Sequence, residues 1–87
     1  MRIKERLATF LALPKEIILN LPVVTLTGGN ECTIENYKGI VEFVQDKVRI
    51  RTGSGMLVIE GRTLWLKRIT AEMVTVTGDI KKVELSK

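Results

Sequence analysis

Met56-Leu57-Val58-Ile59-Glu60-Gly61-Arg62-Thr63-Leu64-Trp65-Leu66-Lys67 reads as a β-hairpin. Gly61-Arg62 suits a two-residue loop, because glycine supplies the positive φ that a twisted hairpin turn needs. The expected hairpin sets Ile59 opposite Leu64 and Leu57 opposite Leu66 on one face. Val58 opposite Trp65 falls on the other face. Large apolar residues on both faces cannot stand alone in water, so the hairpin needs neighbours.

Working outward, the chain of 87 residues is the size of one domain, spanning residues 1–87. Hydrophobic residues make up 45% and aromatics only 5%, so the core rests on Val, Ile and Leu, which favours strands. The sequence has no His and a single cysteine, Cys32. A Cys/His zinc site, a Ser-His or Cys-His nucleophile and an internal disulfide are therefore ruled out by composition. Cys32 falls on an apolar alternating position and is expected to be a buried core thiol. No run approaches the roughly 20 apolar residues of a membrane span. These features lead us to expect a cytoplasmic protein that needs no cofactor and no metal.

Residues 1–22 are expected to form a helix and a Leu-Pro connector. Ile3, Leu7 and Phe10 lie at helical spacing, with Arg2, Lys4, Glu5 and Arg6 around them. Pro14 should stop this amphipathic helix near Leu13. Packing on the domain and docking on an anionic membrane or a partner both suit such a helix.

From Val23 the period changes to two, with turn signals every eight to ten residues. Strands are expected over 23–27, 31–35, 40–44, 47–51, 56–60, 63–69, 73–77 and 80–85. A turn at Tyr37-Lys38 would set Ile34 against Val41 and Cys32 against Phe43. A loop at Gln45-Asp46 would set Phe43 against Val48, Val41 against Ile50, and Glu42 against Arg49 as an opposite-charge pair. A four-residue loop at Gly53–Met56 would set Ile50 against Ile59. These turns agree on one buried face running from Cys32 to Leu66. Val74 against Val83 fits less well, because Val76 would then face Lys81. Short sequential connections favour antiparallel neighbours. The expected fold is mainly β: an antiparallel meander of about eight strands over residues 23–87, curled into a barrel or roll, with the N-terminal amphipathic helix. A short parallel β-solenoid is the alternative.

The glycines at 28–29 and 53–55 match neither dinucleotide nor P-loop spacing. No carboxylate pair stands out as an acid and a base. Arg49, Arg51, Lys67 and Arg68 with Trp65 suggest one alternative function, a small basic β-domain binding nucleic acid. Ile40, Met56, Val58, Trp65, Ile69 and Met73 alternate out of the core face. Contiguous apolar surface of this kind marks an interface unless the N-terminal helix covers it. The candidate interaction residues are thus Trp65, Val58, Met56, Ile40 and Met73 on the sheet, with Ile3, Leu7 and Phe10 on the helix.

Nearly the whole chain resembles the YabP/YqfC family of sporulation proteins, closer to the YqfC branch. The resemblance rests on Leu13-Pro14, then Leu21-Pro22-Val23-Val24-Thr25-Leu26-Thr27-Gly28, then Ile34-Glu35-Asn36-Tyr37-Lys38-Gly39-Ile40. It continues through Gly55-Met56-Leu57-Val58-Ile59-Glu60-Gly61, Leu64, Ile69-Thr70-Ala71-Glu72 and Gly78-Asp79-Ile80. It implies a non-enzymatic assembly or scaffold module acting in the mother cell of a sporulating bacterium, at the developing spore envelope or coat. It also implies a membrane-associated sporulation partner of the YqfD kind, which would place the protein at the periphery of the forespore membrane, while self-association is expected from the apolar second face and the sheet edges. The family brings no catalytic residue.

Overall fold

The computed structural model describes residues 21–87. The helix expected over 2–13, with Ile3, Leu7 and Phe10, lies outside them, as does most of the Leu-Pro connector. Among the described residues the chain is all β, with six strands: β1 (Val23–Thr27), β2 (Glu31–Glu35), β3 (Tyr37–Val44), β4 (Lys47–Thr52), β5 (Gly55–Ile69) and β6 (Met73–Ser86). They form one sheet in the order β1-β2-β6-β5-β4-β3. Every neighbouring pair is antiparallel, which excludes the parallel solenoid. β1 and β3 end the sheet without pairing, so it is not a closed barrel.

Six strands replace the expected eight because two of the turns are not turns. Segments 56–60 and 63–69 are one strand, β5, and segments 73–77 and 80–85 are one strand, β6. Gly61 pairs with Ile80 and Arg62 with Asp79, so the two glycine signals face each other across one long hairpin. The ladder shifts register between Glu60 and Gly61, between Arg62 and Trp65, and between Leu66 and Arg68. Such bulges bend a strand and raise its twist. Ile59 therefore meets Val83 rather than Leu64, Leu57 meets Leu85 rather than Leu66, and Val58 meets Glu84 rather than Trp65.

The bend is a close crossing of two backbones. A Cβ on Gly61 would collide with the carbonyl oxygen of Asp79, and one on Gly78 would lie 2.6 Å from the carbonyl oxygen of Thr63. Only glycine lets the strands approach so closely. Thr63 itself has φ 54, an uncommon conformation for a β-branched residue.

The corner divides the sheet into two blocks that share β5 and β6. In the first, β1 and β2 pair onto residues 73–77 of β6, which pair with 65–69 of β5. In the second, β3 and β4 pair onto residues 55–60 of β5, which pair with 82–86 of β6. Both blocks bury their apolar rows in one core. Cys32, Ile34, Leu64, Val74 and Val76 come from the first, and Val48, Ile50, Leu57 and Ile59 from the second. The curl brings two faces of one sheet together, the arrangement that lets a small all-β chain exclude water. Cys32 is buried as expected.

Asn36 carries the chain between the blocks. Its φ is 63, a conformation asparagine tolerates better than most residues. Its backbone N–H donates to the Glu72 carbonyl at 2.8 Å, and its side-chain amide donates to the Leu21 carbonyl at 2.9 Å. The expected hairpin at Tyr37-Lys38 is absent. Ile34 lies between Val24 and Val74, and Cys32 between Leu26 and Val76, while β3 begins at Tyr37 opposite Thr52. The Tyr37 hydroxyl donates to the Thr70 carbonyl across the crossover.

The Gln45-Asp46 hairpin pairs Phe43 with Val48 and Glu42 with Arg49 as expected. A register shift between Ile40 and Glu42 then puts Ile40, not Val41, opposite Ile50. The β4–β5 loop is Gly53-Ser54, with Thr52 opposite Gly55, so Ile50 meets Leu57. Thr52 explains the shorter loop. Its hydroxyl donates to the Gly55 carbonyl at 2.7 Å and accepts from the Ser54 N–H at 3.1 Å, closing the turn locally.

Candidate interaction surface

The register divides the expected second apolar face into three places. Trp65 and Met73 lie on the outward face of the first block. Trp65 ends a row that runs through Thr27, Glu31 and Thr77, and Met73 lies in the row of Val23 and Glu35. Met56 and Val58 lie on the outward face of the second block, both half-buried. Met56 is flanked by Arg51 and Ser86, and Val58 by Arg49 and Glu84. Ile40 and Ile69 are on core-side rows, opposite Ile50 and Val74. Ile40 packs against the core as a half-buried residue. Ile69 sits at a strand end, where the core-side row runs out and leaves it exposed.

The Trp65–Met73 face holds a shallow groove of about 260 Å³ lined by Glu31, Thr33, Lys67, Arg68, Met73 and Thr75. Its floor is a threonine pair across β2 and β6, with the Thr33 and Thr75 hydroxyls 3.3 Å apart. Its wall is the Lys67–Glu31 ion pair at 3.6 Å, between β5 and β2. Trp65 stands beside it with 67% of its surface exposed, the most exposed large hydrophobic residue among those described. An indole so exposed on a threonine-rich face gains nothing from the core.

The basic residues of the nucleic-acid alternative fall on different blocks. Arg49 and Arg51 sit in the rows of Val58 and Met56, while Lys67, Arg68 and Trp65 belong to the first block. Arg49 is paired with Glu42 at 3.6 Å and Lys67 with Glu31, which leaves no single basic face around the indole.

Cys32 offers no reactive centre. Burial pushes its thiol up to about 11, because the thiolate would lose its hydration inside the core. Among the described residues no group of His, Cys, Asp and Glu could hold a metal ion. No helix among them is long and apolar enough to cross a membrane.

Further apolar exposure lies on strands that the sequence pattern treats as interior. Val24 and Leu26 of β1 and Phe43 of β3 occupy core-side rows yet are exposed, and Val41, at the register shift, and Val44, opposite Lys47, are exposed as well. Strand order is the cause: β1 and β3 are the two ends of the sheet. Alternation reports which way a side chain points, not whether a strand lies beside it, so no local signal marks these residues.

A family model described as the YabP family matches residues 20–87. Among curated proteins, "Uncharacterized protein YqfC" of Bacillus subtilis (strain 168) is 30% identical over 82 residues, covering 94% of this chain and 88% of that protein. No solved structure matches the chain.

Proposed function

The chain belongs to the YabP family, and from that premise we propose that it is a non-enzymatic assembly module serving endospore formation in the mother cell. It acts at the developing spore envelope or coat by docking protein on the outward face of its first block. The protein docked there is a membrane-associated sporulation protein of the YqfD kind, and the module also associates with other copies of itself. The observation that carries this reading is Trp65: a two-thirds exposed indole beside a groove walled by an ion pair. Large exposed aromatics ringed by polar groups are the anchors that dominate protein interfaces. The sequence also has no His, and its lone cysteine is buried, so neither imidazole nor thiolate catalysis has a candidate residue.

The test is replacement of the gene in its spore-forming host by one encoding Trp65→Asp. The expected result is a protein that accumulates with its sheet intact, judged by circular dichroism, while heat-resistant spores fall to the level of the deletion. Full spore yield from the Trp65→Asp strain would sink the reading.

A further inference from the structure

The shared β5–β6 hairpin leaves four stretches of strand with no backbone partner on one side among the described residues. They are the outer sides of β1 and β3, residues 65–69 of β5 on the side away from β6, and residues 81–86 of β6 on the side away from β5. Unpaired edges invite pairing with other chains, and proteins defend them with charges and bulges. Three of the four are defended in this way. β3 carries Lys38, Glu42 and two register shifts. The β5 stretch carries Lys67, Arg68 and the shift between Leu66 and Arg68. The β6 stretch carries Lys81, Lys82 and Glu84.

β1 has none of these defences. Its residues are Val23-Val24-Thr25-Leu26-Thr27, without a charge or a proline, and its ladder to β2 runs without a shift. Val24 and Leu26, on the core-side rows, remain 38% and 54% exposed.

We propose that β1 pairs antiparallel with β1 of a second copy about a two-fold axis, joining two six-stranded sheets edge to edge. This rests on the assembly reading above and names one contact through which the module assembles. The edge is self-complementary. With the axis at Thr25, all five residues pair: Val24 meets Leu26 of the second copy, Val23 meets Thr27, and Thr25 meets its own equivalent. The exposed apolar pair then becomes a cross-strand cluster of four side chains, continuing the core-side face across the axis. No charge on either edge opposes the approach, although each chain carries a net +4. The contact is isologous, so it consumes the undefended edge on both copies and closes at two.

The test is the mass of the full chain in solution, measured by sedimentation over a range of concentrations. The wild-type chain is expected to approach twice its 9.8 kDa mass. Thr25 is exposed, so a charged side chain there is expected to leave the fold intact, which circular dichroism checks. Thr25→Lys and Thr25→Glu each put like charges opposite each other at the axis and should weaken the dimer about fivefold at low salt. Mixed in equal amounts, the two variants should associate at least as well as the wild type. Gly29→Lys adds a charge outside the strand, where a side chain meets open space, and should change nothing. Single variants that dimerise like the wild type, or a mixture that fails to recover, overturn the pairing. A wild-type chain that stays at monomer mass overturns it as well, the outcome expected if another segment of the same chain covers β1. Dimers indifferent to Thr25 leave the assembly reading standing. Full spore yield from Trp65→Asp removes that reading without touching β1.

Discussion

Gly61→Ala separates a corner from a turn. In a two-residue hairpin loop, the residue at 61 would face solvent, and asparagine would replace glycine there at little cost. At the corner, the backbone of β6 occupies the place where a Cβ would go: the carbonyl oxygen of Asp79 collides with it, and the Asp79 carbonyl carbon lies 3.0 Å away. Neither is the movable end of a side chain, so β5 and β6 must separate. Forcing a methyl group into packed structure costs about 1–3 kcal/mol. The shift also strains the Gly61 N–H bond to the Asp46 carbonyl, at 3.1 Å, and the ladder at Ile80, each worth roughly 0.5–1.5 kcal/mol net.

The expected loss is therefore about 2–6 kcal/mol. A chain of 87 residues has on the order of 4–13 kcal/mol in total, so the variant should be marginal. Urea unfolding followed by circular dichroism reads this directly, as a midpoint lowered by about 2 M or more for a slope near 1 kcal/mol/M. Gly61→Asn carries the same Cβ and should be no better than alanine. Gly39→Ala, where an added Cβ meets nothing within 4 Å, should stay within about 0.5 kcal/mol of the wild type. A cost below about 1 kcal/mol for Gly61→Ala, or a tolerated Gly61→Asn, would refute the corner.

Thr63→Gly should raise the urea midpoint, because it releases a β-branched residue from φ 54; the gain is about 1 kcal/mol, net of glycine's greater unfolded-state entropy. Ile59→Ala should cost about 3–4 kcal/mol, since that side chain is fully buried where the two blocks meet. Cys32 should resist thiol reagents at pH 8 in the folded protein and react on unfolding. Its folded thiol keeps its proton until about pH 11 while the unfolded thiol ionises near 9, so the unfolded state binds fewer protons in between. Stability should then fall by about 2–3 kcal/mol as pH rises from 9 past 11, and pH-dependent urea midpoints of Cys32→Ala should lack that part of the fall.

What was legible in the sequence was parity. Of the residues expected on one buried face, Cys32, Ile34, Val48, Ile50, Leu57, Ile59 and Leu64 are buried, Leu66 is half-buried, and Val41 and Phe43 are exposed. Alternation decides this locally, whatever strand lies alongside. Ile50 was expected against Ile59 and meets Leu57, a slip of two residues that keeps the face. Partner identity was not legible, because it depends on how far a strand continues. A glycine that turns a chain back and a glycine that lets two strands cross closely look the same along the sequence. Gly61 and Gly78 are recognisable as corners only once Gly61 is known to cross Asp79 and Gly78 to cross Thr63. The same ignorance of strand order hid the exposure of Leu26 and Phe43, and it merged Trp65 with Met56 and Val58 into one stripe.

The corner also governs how surface variants should be interpreted. Both blocks hang on β5 and β6, and their buried residues, Cys32 and Val74 with Ile50 and Ile59, belong to one core cluster. Unfolding is therefore expected to be cooperative across the blocks, with no stable half. Trp65 and Thr25 lie exposed on the outward face of the first block and contribute little to that core. A loss of spores or of dimers from substitutions there can be assigned to a surface, provided the urea midpoint stays at the wild-type value. The same losses from Gly61→Ala carry no such meaning, because that variant removes both surfaces together with the fold. The two surfaces should separate from each other as well. Trp65 projects from a face and β1 offers an edge, so a Trp65→Asp chain should still dimerise, and a Thr25→Lys chain should still bind whatever partner the indole anchors.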